Sequence, residues 1–214
     1  MKKIIALSIM VIMCLGLFTA CSPKDNGGKP DTGGENTSSG SNSDNDSNNS
    51  NDADKETDVA NAVELLNKIW ASYKEDEKFP ATSGNPDDIG NGAPGEFKYE
   101  TGEELNNMFA FPADKADKID SVASLVHMMN LNTFSAAAYH LKNTSDAEAV
   151  AKAIEESVLN HRWMCGFPEK LVVVTYGDYV VSAYGASDLI EIFKTNTTAT
   201  FSTAKVVVDV ALDS

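Results

Sequence analysis

The sequence predicts an α+β fold: a mainly antiparallel sheet with helices packed on one face, a split βαβ-like order in the C-terminal half, and a disordered tether ahead of it. Three observations carry this. The β-branched runs Leu171 to Tyr176 and Tyr179 to Tyr184 are separated only by Gly177-Asp178, which suits a tight antiparallel hairpin with glycine first. Apolar residues at helical spacing flank that hairpin on both sides. Residues 22–55 hold seven Ser, seven Asn, six Asp and five Gly, with no aromatic, Leu, Met, Val or Ile, so they bury too little apolar surface to offset ordering entropy.

Taken in chain order, residues 1–20 place Lys2 and Lys3 ahead of a short apolar run and small residues before Cys21. This is the layout of a secretion signal, too short and too one-sidedly flanked for a retained spanning helix. Residues 21–58 form the tether, with a root-mean-square reach of roughly 35 Å as a Gly-rich coil. Residues 59–214 form a single globular domain. It opens with a helix whose stripe is Val59, Ala62, Val63, Leu66, Ile69, Trp70 and Tyr73, capped by Thr57 or Asp58. Residues 74–100, with Pro80, Pro86 and Pro94 among several glycines, read as a long loop.

Thr101 and Glu104 make a capping box for a short helix through about Phe109. Ile119, Val122, Ala123 and Val126 suit a helix, which leaves residues 115–133 ambiguous, whereas Phe134 to Leu141 suits a strand. Ser145 and Glu148 form a second capping box, and Ala147, Val150, Ala151, Ile154 and Val158 continue a helix expected to reach about Cys165, where Gly166 and Pro168 stop it. After the hairpin, Ser187 opens a last helix with Leu189, Ile190 and Phe193, and Ser202 to Leu212 closes as a strand. The resulting β-α-β-β-α-β order over residues 133–212 is a split βαβ arrangement.

Leu17-Phe18-Thr19-Ala20-Cys21 resembles the lipobox of bacterial lipoproteins. The resemblance implies that Cys21 is acylated with palmitate-like chains and becomes the mature N-terminus, which places the domain on the outer, extracytoplasmic face of the cell membrane. Each buried methylene contributes about 0.8 kcal/mol, so two or three chains anchor firmly. The lipobox, the polar tether, Arg162-Trp163, the apolar run Leu171 to Tyr176 and Gly177-Asp178-Tyr179-Val180-Val181 together resemble uncharacterised lipoproteins of Gram-positive anaerobes, over residues 115–195. That resemblance implies a location and supplies no activity.

With Cys14 in the signal and Cys21 lipidated, Cys165 is the remaining thiol, so no internal disulfide is expected. Residues 59–214 carry 23 acidic and 12 basic side chains, a net −11, which argues against nucleic acid as a partner and against adhesion to anionic headgroups.

His161 and Cys165, four residues apart, would share a helical face. A reactive thiolate, however, is favoured at a helix N-terminus, and this position is expected at the opposite end. The simpler expectation is a packed helix end, with Trp163 and Cys165 in the core. Neither His127 nor His140 belongs to a metal-ligand pattern. Asn85 to Glu96 matches a calcium loop only at Asp87, Gly90 and Glu96, so no metal and no cofactor is expected. No catalytic serine motif or phosphate loop is present in the sequence.

A ligand-binding groove remains as an expectation, lined by Phe97, Tyr99, Tyr176, Tyr179 and Tyr184 and suited to peptide or glycan. The function expected is a non-catalytic binding or accessory module of the cell envelope, joined to the membrane through Cys21 and partnered by an envelope protein or glycan. Two alternatives stand beside it: a small envelope thiol enzyme or redox protein using Cys165 and His161, and a substrate-capturing subunit of a transporter.

Overall fold

The computed structural model describes residues 58–212. The expected signal, the lipid-bearing Cys21 and the tether through residue 57 lie outside the described residues. Those residues form, in order, α1 (Ala62–Ala71), β1 (Ala81–Thr82), β2 (Gly95–Glu96), α2 (Gly102–Phe109), β3 (Ile119–His127), β4 (Phe134–Leu141), α3 (Ala147–Leu159), β5 (Lys170–Tyr176), β6 (Tyr179–Gly185), α4 (Ser187–Thr200) and β7 (Lys205–Ala211). The class is α+β. All seven strands join one antiparallel sheet, ordered β1-β3-β4-β6-β5-β7, with β2 on the same edge of β3 as β1.

The ambiguous stretch at residue 119 is a strand, and its helical look has a physical cause. Ala123 and Leu125 face one core while Ile119, Val122 and Val126 face a second, because both sides of this strand are buried. A β-bulge between Ile119 and Ser121 then shifts the alternation by one residue. Burial on two faces plus a bulge reproduces the i, i+3, i+4, i+7 spacing of an amphipathic helix.

The helices lie on both faces of the sheet, which corrects the one-face expectation. Ile190 and Phe193 of α4 join Leu65, Leu66 and Ile69 of α1 in the core against Val172, Val174, Val181 and Ala183. Leu105 and Phe109 of α2 join Val150, Ile154 and Val158 of α3 against Leu171, Val173, Val180 and Tyr139. Strand order explains the division. The crossover β4-α3-β5 passes over β6, and β6-α4-β7 passes over β5 in the same direction across the sheet, yet β4 and β6 run antiparallel. Two crossovers of one hand must then put their helices on opposite sides. They would share a face only if β7 paired with β4, and β3 already occupies that position.

Helix ends follow local side-chain chemistry. Asn61, not Thr57 or Asp58, caps α1: its Oδ1 accepts from Glu64 N at 2.9 Å, and Glu64 Oε2 accepts from Ala60 N at 2.8 Å. Thr101 caps α2 as its box predicts. Ahead of α3, Asn143 accepts from Ser145 N and from the Ser145 hydroxyl, so an Asn turn replaces the expected Ser145 and Glu148 box. Helix α3 stops at Leu159, six residues before Cys165: the side-chain amide of its cap, Asn160, donates to Glu156 O, and His161 N donates to Val158 O in a tightened last turn.

The stretch expected to be a long loop contains β1 and β2, which cover part of the outer edge of β3. The edge at β7 is open, with Val206 and Val207 38% and 42% exposed. Its partners Val173 and Val174 pair with Val208 and Val206, so Val207 is bulged out of the ladder. Lys170 and Lys194 each contact both Glu191 and Asp209, a closed ring of alternating charge that joins β5, β7 and α4.

Gly185 ends β6 at φ +155, and an added Cβ would lie 2.2 Å from the Thr133 carbonyl oxygen. Gly185→Ala is therefore expected to cost about 2 kcal/mol or more in urea unfolding. Gly92→Ala, at φ +70 with open space around it, should cost only about 1 kcal/mol. Equal losses from the two would remove the steric account.

Candidate functional site

Large apolar side chains are exposed together at one end of the sheet. Strand β3 ends at His127, and the chain returns to β4 through Met128-Met129-Asn130-Leu131-Asn132-Thr133. The polar groups of this loop bond among themselves: Asn132 N donates to Asn130 Oδ1 at 2.9 Å, Thr133 N to Asn130 O at 3.1 Å, and Met129 N to His127 Nδ1 at 3.2 Å. The methionines are left facing water, Met128 at 47% and Met129 at 76% exposure.

A second loop, residues 160–169, is fastened to the first. The Asn132 side-chain amide donates to Met164 O at 2.9 Å and to Gly166 O at 3.0 Å, and that of Asn130 reaches Cys165 O at 3.4 Å. Between these carbonyls Cys165 adopts φ +63, a left-handed conformation uncommon for a side chain with a Cβ. With its carbonyls drawn inward, the loop turns Met164 (76%) and Phe167 (61%) outward. Ile89, 72% exposed, approaches from the segment after β1, and with Met108, Met128, Met129 and Leu131 it lines an open cleft of about 250 Å³.

The five aromatic residues expected to share a groove are divided by the sheet. Tyr176 and Tyr179 are buried in one core, with the Tyr176 ring tilted against Phe201, centroids 4.5 Å apart. Phe97 and Tyr184 are buried in the other, where the Tyr184 hydroxyl donates to Met108 O at 3.2 Å. Tyr179 and Tyr184 stand five residues apart in one strand, and an odd separation points side chains to opposite faces. Tyr99 is half-exposed and lines a separate hollow at the β3 edge with Lys98, Ser121 and Lys142. One shared groove is therefore excluded.

The helical pairing of His161 with Cys165 is corrected as well, since neither residue is helical. The His161 ring packs on Trp163, with centroids 4.5 Å apart, and Trp163 packs on Tyr184 at 4.9 Å. Cys165 is exposed rather than in the core, because the chain has left α3 before reaching it.

A charged cluster occupies the other end of the sheet. His140, late in β4, has Nδ1 2.6 Å from Asp120 Oδ1 and Nε2 2.9 Å from Asp178 Oδ2. Asp178 is in the β5–β6 turn, and Asp120 is the residue bulged out of β3, which brings its carboxylate toward the face that His140 occupies. The Tyr179 ring lies 5.1 Å from the imidazole. Two carboxylates at hydrogen-bond distance require a proton on each ring nitrogen, so the group is an imidazolium. Burial alone depresses its pKa, but the bonds to Asp120 and then Asp178 more than reverse this, and the net shift is upward. An imidazole occupied on both nitrogens has no lone pair to give a metal or a substrate. Among the described residues no group of three or more His, Cys, Asp or Glu is placed to hold a metal ion.

The raised pKa fixes a pH dependence. The stabilisation from His140 is complete below its ordinary value of 6.5 and is lost as pH rises through the raised folded-state value. Burial lowers the pKa of His161, so that residue opposes folding only as pH falls below 6.5. The melting temperature of the wild type should therefore drop as pH rises above 6.5, and His140→Gln should flatten that slope. An unchanged slope in the variant would mean that the cluster is not charged as described.

Comparison of the chain with protein-family profiles, with characterised proteins and with solved structures finds no match, so its function is argued from these residues and their geometry alone.

Proposed function

We propose that this chain is a lipid-anchored, extracytoplasmic binding module of the bacterial cell envelope that performs no chemistry of its own. The observation that carries the reading is the concentration of exposed Ile89, Met128, Met129, Met164 and Phe167 at one end of the domain. Contiguous exposed apolar surface on a soluble domain marks an interaction site more often than chance. The charge of the domain, net −11, favours a protein or glycan partner over nucleic acid.

The described chain enters the domain at the end away from the exposed methionines. Asp58 N donates to the Tyr176 hydroxyl at 3.1 Å, so the chain joins the domain near the β5–β6 turn. Met128 and Met164 lie beyond the opposite ends of the strands.

The exposed Cys165 thiol favours a second reading, an envelope thiol or redox protein. Under that reading Cys165→Ser abolishes activity, whereas under the binding reading it changes neither partner capture nor location.

Growing cells supplied with an alkyne-bearing palmitate should label the wild-type chain and leave Cys21→Ser unlabelled. Protease added to intact cells that lack or have shed their outer barrier should remove the domain. A wild-type chain that stays unlabelled and protected inside the cell would refute the proposal.

A further inference from the structure

The apolar end has a rim whose charge and side-chain types indicate what it binds. We infer that the surface made by Ile89, Met128, Met129, Met164 and Phe167 docks a basic, amphipathic helix of a partner protein. The inference rests on the binding-module reading above and names the partner's chemistry. The surface is ready before any partner arrives: the amides of Asn130 and Asn132 hold the carbonyls of Met164, Cys165 and Gly166, which sets both loops in one arrangement.

Three of its five side chains are methionines, which are unbranched and polarisable and mould themselves to whatever apolar face they meet. Such surfaces take the apolar stripe of a helix into a shallow depression. The cleft beside Ile89 and Met129, about 250 Å³, offers that depression.

The sign of the partner follows from the rim. Asp87 and Asp88 stand exposed immediately before Ile89, and residues 82–90 and 127–133 contain no Lys or Arg. Arg162, exposed on the far flank, is the single strong base of the adjoining loop, where Glu169 also lies. Against a domain of net −11, an acidic segment would be repelled and a basic one drawn in. Anionic headgroups of a bilayer are disfavoured as occupant by the same negative charge.

The test is a titration of the purified full chain with a fluorescent synthetic helix of Leu and Lys. Its Leu/Glu counterpart and neutral phosphatidylcholine vesicles serve as alternative occupants. The Leu/Lys helix should bind, and Met129→Ser combined with Met164→Ser should weaken it about tenfold. Both side chains are 76% exposed, so the melting temperature should not move. Asp87→Asn with Asp88→Asn should weaken binding about threefold and reduce its salt dependence.

Equal or tighter binding of the Leu/Glu helix would overturn the charge assignment and leave the binding module standing. Unchanged affinity in the methionine variant would overturn the surface assignment. Vesicle binding or dimerisation that the methionine variant abolishes would replace the proposed partner with a lipid or with a second copy. None of these outcomes touches the palmitate label on Cys21, so the anchor is judged separately.

Discussion

Burial of the central strands on both faces is the constraint from which the rest of this domain follows. Strands β3 to β6 place apolar side chains on both sides of the sheet, and a strand so placed must find a helix above and another below. The two crossovers supply them because neighbouring strands run in opposite directions while the connections progress the same way across the sheet. A single handedness then yields two cores without further instruction from the sequence. The absence of a disulfide among the described residues is consistent with this economy, since Cys165 is a free, exposed thiol.

The same constraint decides where polar chemistry can sit. With both faces occupied, ionisable groups are confined to the ends of the strands and to the two edges. One end holds the imidazolium of His140 between Asp120 and Asp178, an arrangement that depends on the bulge beside Ile119. The other end holds paired loops whose amides and carbonyls bond to each other, so that their apolar side chains have nowhere to go but outward. The two ends are thus opposite in character: one presents charged groups, the other apolar side chains.

Much of this architecture is legible in the sequence. The hairpin at Gly177-Asp178, the strands on either side of it, α2 with its Thr101 cap, and the order of elements after residue 133 all follow from periodicity and turn chemistry. Strand β3 is not legible, because burial on two faces together with a bulge imitates the period of a helix. That one omission propagates: without β3 beside β4, nothing tells β7 which edge to join, and the helices are assigned to a single face. The candidate site is hidden for a related reason. Met128, Met129, Met164 and Phe167 look like ordinary core formers, and only the amide bonds from Asn130 and Asn132, made across more than thirty residues of chain, reveal that they are turned out. Tyr176, Tyr179 and Tyr184 look like surface aromatics near a turn, but they are core.

The bulge at Val207 has a consequence for neighbouring molecules. A straight valine-rich border would let two copies zip their backbones together, and any crowding in a plane would multiply such encounters. By throwing one residue out of step, the bulge removes the continuous row of donors and acceptors that a second copy would need. That border of the sheet is therefore a poor template for another strand.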